Sequence, residues 1–121
     1  MRVLVVDDDI SVRTIMATKL LAEGFDVRVV SEPSDVIGVL TSKSWKPDVL
    51  VLDYMMPGLT GGDVVDAMKS LPGLHQAPVI IVSASGEIPE NVRRQVLAVL
   101  RKPIDFPLLL EVIRAAVPTS T

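Results

Sequence analysis

Acidic, hydroxyl and amine side chains directly follow four separate hydrophobic runs of this 121-residue chain. In chain order they are Asp7, Asp8 and Asp9, then Asp53, Ser83 and Lys102. Nearly unbroken β-branched runs are typical of central strands in a parallel sheet, and the carboxyl ends of parallel strands meet at one edge. We therefore expect acidic, hydroxyl and ammonium groups to converge at that edge.

Asp7, Asp8 and Asp53 would form a crowded group of carboxylates at the end of an apolar sheet. Such groups repel one another unless protons or a cation neutralise them. A few oxygen ligands open to solvent suit Mg²⁺, whereas zinc favours His or Cys. The chain has no Cys, and its single histidine, His75, lies in a segment that predicts an exposed loop. We therefore predict a Mg²⁺ site and assign His75 no role.

A carboxylate beside Mg²⁺, a lysine and a hydroxyl group is a set of parts for phosphoryl transfer, in which the protein positions groups and neutralises charge. The carboxylate itself can be the nucleophile. Asp53 suits this role best because it follows the fully apolar run 49–52. The next residues, 54–58, end in Pro and Gly and are expected to turn the chain away, leaving the carboxylate at the mouth of the site.

Taken singly, each of these side chains also has a plain structural interpretation. Asp8 or Asp9 could cap the first helix, Ser83 could cap or turn, and Lys102 could be solvated. Their convergence on one edge of the sheet is what favours a functional interpretation.

Five hydrophobic runs alternate with segments in which apolar residues recur every three or four positions, as they do on one face of a helix. The runs that predict strands are residues 3–6, 27–30, 49–52, 79–82 and 98–101. Polar flanking residues place the second run nearer a sheet edge. The alternation ends with a helix predicted over residues 108–117 and predicts a doubly wound three-layer α/β sandwich with a five-stranded parallel sheet.

Composition limits the classes of protein that the chain could form. Hydrophobic residues make up 49% of it, which excludes disorder as the main state, and a net charge of −3 does not supply the cationic surface of a nucleic-acid binder. The absence of Cys suits a reducing compartment, and the apolar run 3–6 is too short for a signal peptide or a membrane span. We expect one cytoplasmic domain over residues 1–117, followed by a polar tail at 118–121.

Four separated motifs, in this order and on these strand ends, resemble the receiver domain of bacterial two-component response regulators. They are Val5-Val6-Asp7-Asp8-Asp9, Leu52-Asp53-Tyr54-Met55-Met56-Pro57-Gly58 with Gly61 and Gly62 following, Val82-Ser83-Ala84, and Lys102-Pro103. The resemblance runs the length of the chain. It implies a flavodoxin-like fold with strand order 2-1-3-4-5, which agrees with the alternation of strands and helices.

The resemblance also implies roles for single residues. Asp53 would be phosphorylated by a sensor histidine kinase or a histidine phosphotransfer protein. Asp8, Asp53 and the backbone carbonyl of Met55 would ligate Mg²⁺, and Asp7 would act on the metal through water. The chain would be no enzyme in the usual sense, because it would catalyse only its own phosphorylation and dephosphorylation.

Two further residues receive roles from the resemblance. Ser83 would hydrogen-bond the new phosphoryl group, and Lys102 would pair with a phosphoryl oxygen. The Lys102–Pro103 peptide bond is expected to be cis. Phosphorylation would switch contacts with a downstream effector protein or a fused domain, and the chain would be a monomer or weak dimer without direct binding to nucleic acid or membrane.

The sequence departs from the family pattern near its fifth strand. Val99 occupies the position of the usual switch aromatic, and the stretch from Ser83 to Lys102 is a few residues short. The fourth helix, predicted over about residues 89–96, is therefore expected to be short or displaced. A separate surface, which would choose the kinase, is predicted around the first helix and the loop after the fifth strand, at Val12, Arg13, Met16 and residues 103–106.

Three alternatives remain open from the sequence. A haloacid-dehalogenase-like phosphatase would use Asp7 as nucleophile and Asp9 as its partner acid, but that family expects Thr at position 11, where this chain has Ser. A flavin mononucleotide module would need a phosphate cradle where this chain has three aspartates. A receiver that has lost phosphorylation would survive as an interaction domain, although the complete set of acid, hydroxyl and lysine argues against this.

Overall fold

A computed structural model describes residues 1–73, 75–84 and 87–116 of the chain. Strands and helices alternate along it. Their bounds are β1 (Arg2–Val6), α1 (Ile10–Ala22), β2 (Asp26–Val30), α2 (Pro33–Thr41), β3 (Val49–Asp53), β4 (Met55–Met56), β5 (Leu59–Thr60), α3 (Gly61–Ser70), β6 (Val79–Ser83), α4 (Glu90–Arg93), β7 (Ala98–Arg101) and α5 (Phe106–Ala116).

Five strands form one parallel sheet in the order β2-β1-β3-β6-β7. This is the predicted 2-1-3-4-5 order once the short strands β4 and β5 are left out of the count. The strand at 26–30 lies at an edge, as its polar flanks indicated. The predicted doubly wound, flavodoxin-like sandwich is therefore confirmed.

The two short strands were not predicted. β4 and β5 pair antiparallel as a hairpin directly after β3, so the turn expected over residues 54–58 has a defined form. Pro57 and Gly58 make its two-residue loop, and Gly58 has a φ of +85°, which favours glycine.

Alternating side chains of the central strands supply two hydrophobic cores, one on each face of the sheet. The face that carries Leu4, Leu50 and Ile81 packs against α2, α3 and α4. The face that carries Val3 and Val5 packs against α1 and α5. Both faces of β3 and β6 are buried, which is why their sequences are continuous apolar runs rather than alternating ones.

Local capping fixes the helices that flank the carboxyl edge of the sheet. Asp9 caps α1, since its Oδ1 accepts from the backbone N–H of Ser11 at 2.8 Å. Thr60 and Asp63 form a reciprocal capping box at the start of α3. Of the two acids considered for capping α1, Asp9 is thus the one used, which leaves the Asp8 side chain available to the site.

The last two helices differ in length from the prediction. α4 spans Glu90–Arg93 only, so the expected shortening is confirmed and goes beyond the predicted residues 89–96. α5 begins at Phe106, two residues before the predicted start. The predicted boundary at residue 117 and the tail at 118–121 lie outside the described residues and stay predictions. No helix among the described residues has both the length and the apolar character that crossing a membrane requires.

Candidate functional site

Neighbouring strand ends bring the predicted site residues together. Asp7 directly follows β1, Asp53 ends β3, Ser83 ends β6, and Lys102 directly follows β7. Backbone hydrogen bonds continue past the strands, since Lys102 N–H donates to the Ser83 carbonyl at 2.9 Å and Tyr54 N–H donates to the Val82 carbonyl at 3.0 Å. The parallel register therefore sets these side chains side by side at one edge.

The three predicted carboxylates form a compact cluster. Asp7, Asp8 and Asp53 each present an oxygen, and these three oxygens lie within 4.8 Å of one another. Asp7 and Asp53 are buried at 2% and 6% exposure, whereas Asp8 is exposed. The Asp53 carboxylate therefore lies at the base of the site rather than at its mouth, where the sequence placed it.

Lys102 lies between the two buried acids. Its Nζ is 3.1 Å from Asp7 Oδ2 and 3.5 Å from Asp53 Oδ1, and its side chain is about three-quarters buried. The interpretation of Lys102 as a merely solvated lysine is thus wrong. Three carboxylates and one ammonium leave the fully ionised cluster with two uncompensated negative charges.

Hydrogen bonds hold both the side chain and the backbone carbonyl of Asp7. Its Oδ1 accepts from the backbone N–H of Asp9 at 2.9 Å, and its Oδ2 accepts from Lys102. Its backbone carbonyl accepts from Arg13 Nη1 at 2.9 Å. The tip of β1 and the start of α1 are therefore fixed relative to Lys102.

The environment of Asp53 makes its ionised form costly. The pKa of Asp53 is raised from 3.8 to about 6. Burial is the largest cause, repulsion from Asp7 acts in the same direction, and Lys102 opposes both by its charge and hydrogen bond. Asp8 raises the same pKa further. A raised pKa on a carboxylate in a cleft is typical of a functional site, because the surrounding charge favours binding of a cation.

For the pKa of Lys102, the neighbouring acids outweigh the effect of burial. Burial alone would lower the pKa of its amine, but the hydrogen bond to Asp7 and the charges of Asp53 and Asp7 together raise the pKa above 10.5. Lys102 is therefore protonated throughout the neutral range.

Two more predicted site residues lie close to Asp53: Ser83 ends the neighbouring strand β6, and Met55 begins β4. Ser83 is 1% exposed at the end of β6. Met55, two residues after Asp53, has a side chain that is 63% exposed, so it is the backbone of Met55 that the hairpin positions. The Lys102–Pro103 peptide bond is cis, as expected.

Gly61 allows α3 to begin directly against the segment that carries Asp53. A Cβ at Gly61 would lie 3.2 Å from the Tyr54 Cα and 3.3 Å from the Asp53 carbonyl oxygen. The backbone N–H of Gly61 donates to the Tyr54 carbonyl at 2.7 Å. A larger residue at this position would push the helix away from the base of the site.

A cavity of about 750 Å³ opens beside Asp8, the exposed member of the acidic cluster. The lining residues come from β1 to the start of α1, from the start of α2 and from the hairpin, and they are Asp8, Arg13, Ser31, Glu32, Ser34, Pro57, Gly58 and Leu59. Arg13 was predicted on a partner surface, and its position in this cavity was not predicted. Its place four residues after the helix-capping Asp9 was the available signal, because a side chain in the first turn of a helix leans back toward the amino end.

Two further expectations need correction. His75 is not an exposed loop residue, since its ring Nε2 lies 2.8 Å from the Pro47 carbonyl and its backbone N–H donates to the Leu40 carbonyl. His75 thus contacts the end of α2 and the loop before β3, away from the acidic cluster. Met16 was predicted on the partner surface but is 4% exposed and packs in the core, whereas Val12 and Arg13 are half-buried.

The carboxyl edge of this flavodoxin-like sheet thus carries acids, a hydroxyl and a lysine side by side. The family model described as "Response regulator receiver domain" matches residues 3–114. The chain therefore belongs to the response regulator receiver domain family, and it is a receiver domain of two-component signal transduction.

Curated relatives agree with this assignment. The phosphate regulon transcriptional regulatory protein PhoB of Rhizobium meliloti is 28% identical over 117 residues, which cover 94% of this chain and 51% of that protein. The DNA-binding response regulator MtrA of Mycolicibacterium smegmatis is 34% identical over 83 residues, which cover 69% of this chain and 34% of that protein. The chain thus spans about half or less of the length of these relatives.

A solved structure shows the same fold. The response regulator TrrA of Thermotoga maritima, in complex with Mg²⁺ and BeF, superposes with a TM-score of 0.82 at 23% identity. The match covers 96% of this chain and 98% of that one.

Proposed function

We propose that Asp53 is the phosphoacceptor and that the donor is a phosphohistidine on a sensor histidine kinase or a histidine phosphotransfer protein. The observation that carries the proposal is the environment of this carboxylate. Asp53 ends a buried strand at the base of the site, with two other carboxylates and one lysine gathered around it. Membership of the receiver family supports the same assignment.

The transfer forms one bond and breaks one. A carboxylate oxygen of Asp53 attacks the phosphorus, the bond between phosphorus and the donor imidazole nitrogen breaks, and the imidazole leaves with its electron pair and takes up a proton. The product is an acyl phosphate on Asp53, which water later hydrolyses to restore the carboxylate. The domain acts on its own side chain and turns over no separate substrate.

The acidic cluster fits a Mg²⁺ ion. Its donors are all oxygens, its oxygens lie within 4.8 Å of one another, and its two uncompensated negative charges match a divalent cation. Asp8, Asp53 and the backbone carbonyl of Met55 would ligate the ion, with Asp7 acting through water. When bound, Mg²⁺ supplies neutralisation of charge on the phosphoryl oxygens. The Mg²⁺ complex of the Thermotoga relative supports this part of the proposal.

Lys102 and Ser83 complete the site. The Lys102 ammonium, 3.5 Å from an Asp53 oxygen, is within reach of an oxygen on a phosphoryl group attached there. The Ser83 hydroxyl lies at the end of the adjacent strand and would donate to another phosphoryl oxygen. Phosphorylation replaces the single negative charge of the Asp53 carboxylate with about −1.5 to −2 charges on the acyl phosphate at neutral pH, and these two contacts would respond to that change.

The output would be a change in protein contacts. The curated relatives are about twice as long as this chain, and one of them is described as DNA-binding. We propose that this domain acts on an effector protein or a fused domain, without itself contacting nucleic acid, and that it is a monomer or weak dimer.

Mass spectrometry tests the proposal directly. The protein is incubated with acetyl phosphate and Mg²⁺, its intact mass is measured, and the modified peptide is mapped. We expect one phosphoryl group on Asp53, none in Asp53→Asn, and unchanged labelling in Asp66→Asn, which removes an exposed carboxylate of α3.

Other outcomes would contradict it. Labelling of Asp7 would support the phosphatase alternative. The absence of any adduct, with acetyl phosphate and with beryllofluoride, would support a receiver that works by interaction alone.

A further inference from the structure

The side chain of Arg13 lies across the turn that joins β1 to α1. Arg13 is in the first turn of α1, where its backbone N–H donates to the Asp9 carbonyl at 3.0 Å. Its Nη1 reaches back to donate to the Asp7 carbonyl at 2.9 Å. The guanidinium is therefore anchored to the residue that precedes Asp8 in the acidic cluster.

This anchor uses one of the five N–H groups that a guanidinium offers. Within the described part of the chain, no carboxylate lies within 4.0 Å of Arg13 as an ion-pair partner. Arg13 nevertheless lines the same cavity as Asp8 and Glu32. Among the described residues that line this cavity, Arg13 is the only one with a positive charge.

Asp8 belongs to the acidic cluster around Asp53 and also lines this cavity, so an anionic phosphoryl donor that approaches Asp53 past Asp8 enters through it. The cavity wall carries carboxylates at Asp8 and Glu32, and Lys102 is already engaged with two buried acids. Even with Mg²⁺ neutralising the cluster, the Glu32 carboxylate would repel the donor on entry, and a further cation would offset this repulsion. A guanidinium with unused N–H groups is suited to bind the non-bridging oxygens of a phosphoryl group.

We propose that Arg13 binds the incoming phosphoryl donor and selects for donors that carry more negative charge. This inference rests on the proposed function, because it assumes that Asp53 is the acceptor. It assigns to Arg13 a role in the cavity that is separate from contact with a partner's surface.

The proposal has a second consequence for the same site. A positive charge that attracts an anionic donor also repels Mg²⁺ from the neighbouring carboxylates. Removing the charge of Arg13 should therefore weaken the reaction with donors while strengthening the binding of Mg²⁺. A residue that only held the turn in shape would weaken both when it was replaced.

The experiment compares Arg13→Gln with wild type, with Arg13→Lys and with Lys43→Gln. Lys43 is exposed in the loop between α2 and β3, at the opposite end of the sheet, so its replacement removes the same charge away from the site. Phosphorylation rates are measured at Mg²⁺ saturation for each variant, with acetyl phosphate, which is a dianion at neutral pH, and with phosphoramidate, which carries less negative charge. Mg²⁺ affinity is measured by isothermal titration calorimetry, without any donor.

We expect Arg13→Gln to lose about tenfold in rate with acetyl phosphate and about threefold with phosphoramidate, because a charge interaction scales with the charge on the donor. We expect its Mg²⁺ affinity to rise by about threefold at moderate salt. Arg13→Lys should recover most of the rate, and Lys43→Gln should match wild type in every measurement.

Equal losses with the two donors, weaker Mg²⁺ binding in Arg13→Gln, or an Arg13→Lys variant as slow as Arg13→Gln would each overturn the role of Arg13. Labelling of Asp53 in wild type keeps this result separate from the proposed function. If wild type itself takes no phosphoryl group on Asp53, the proposed function fails first.

Discussion

Replacing Asp53 with Asn should make the protein more stable at neutral pH. The pKa of Asp53 is raised from 3.8 to about 6 in the folded protein, first by burial and then by repulsion from Asp7. Between these two values the unfolded chain has released its proton while the folded chain retains it, so the free energy of unfolding falls as the pH rises. Above about pH 6 the full cost is present, and the difference between the two pKa values corresponds to about 3 kcal/mol.

Asn keeps the shape of Asp53 and removes its charge, while the contact between Lys102 and Asp7 remains. We therefore expect Asp53→Asn to raise the free energy of unfolding by about 2–3 kcal/mol at pH 7.5 without Mg²⁺. The difference should shrink as the pH falls and approach zero near about pH 3, where the wild-type carboxyl is mostly protonated in both states. Saturating Mg²⁺ should stabilise wild type and not the variant, because binding to the folded state alone shifts the unfolding equilibrium.

Urea unfolding at a series of pH values provides the assay, followed by the fluorescence of Trp45. This residue is the single tryptophan of the chain and is 4% exposed, so its emission reports loss of the core. Asp66→Asn, which removes an exposed carboxylate, should follow wild type at every pH. Parallel stability curves for wild type and Asp53→Asn between pH 4 and 8 would refute the reasoning, since they would show that the cluster does not destabilise the ionised carboxylate.

Two further substitutions test the packing and capping around the site by the same urea assay. Gly62→Ala should destabilise the protein by about 1–2 kcal/mol, because a Cβ there would lie 3.0 Å from Val92 Cγ2 of α4. Gly38→Ala should instead stabilise it by up to about 1 kcal/mol, because this exposed helical position has nothing within 4 Å of an added Cβ. If the two glycine variants changed stability alike, the close packing of α4 on α3 would be wrong. Asp9→Ala should cost about 1 kcal/mol through loss of the bond to the Ser11 N–H, and an unchanged midpoint would show that this cap contributes nothing.

The sequence by itself determined the sheet and the residues at its edge. Apolar runs of four or five residues predict buried parallel strands, and the polar residue after each run must lie at a strand end. This is why Asp53, Ser83 and Lys102 could be assigned to one site before any distance was known. A short α4 could also be expected, because the stretch between Ser83 and Lys102 is a few residues shorter than in the family that the sequence resembles, although the observed helix is shorter than the predicted 89–96.

The tertiary structure decided the features that depend on distant contacts. The hairpin at β4 and β5 has only two residues per strand, which is too short to give a periodic pattern, and the burial of Met16 depends on which side of α1 meets the sheet. The contact between His75 and the Pro47 carbonyl joins residues 28 apart in sequence.

The charge environment of the site also required the tertiary structure. Lys102 and Asp7 are 95 residues apart, and their 3.1 Å contact exists only because β1 and β7 both end at the same edge of one sheet. Side-chain type and local spacing are written in the covalent order of the chain, whereas burial and the distances between charges arise only when the strands and helices pack. Since burial and charge separation set the pKa of Asp53, the sequence could name the acid but could not give its environment.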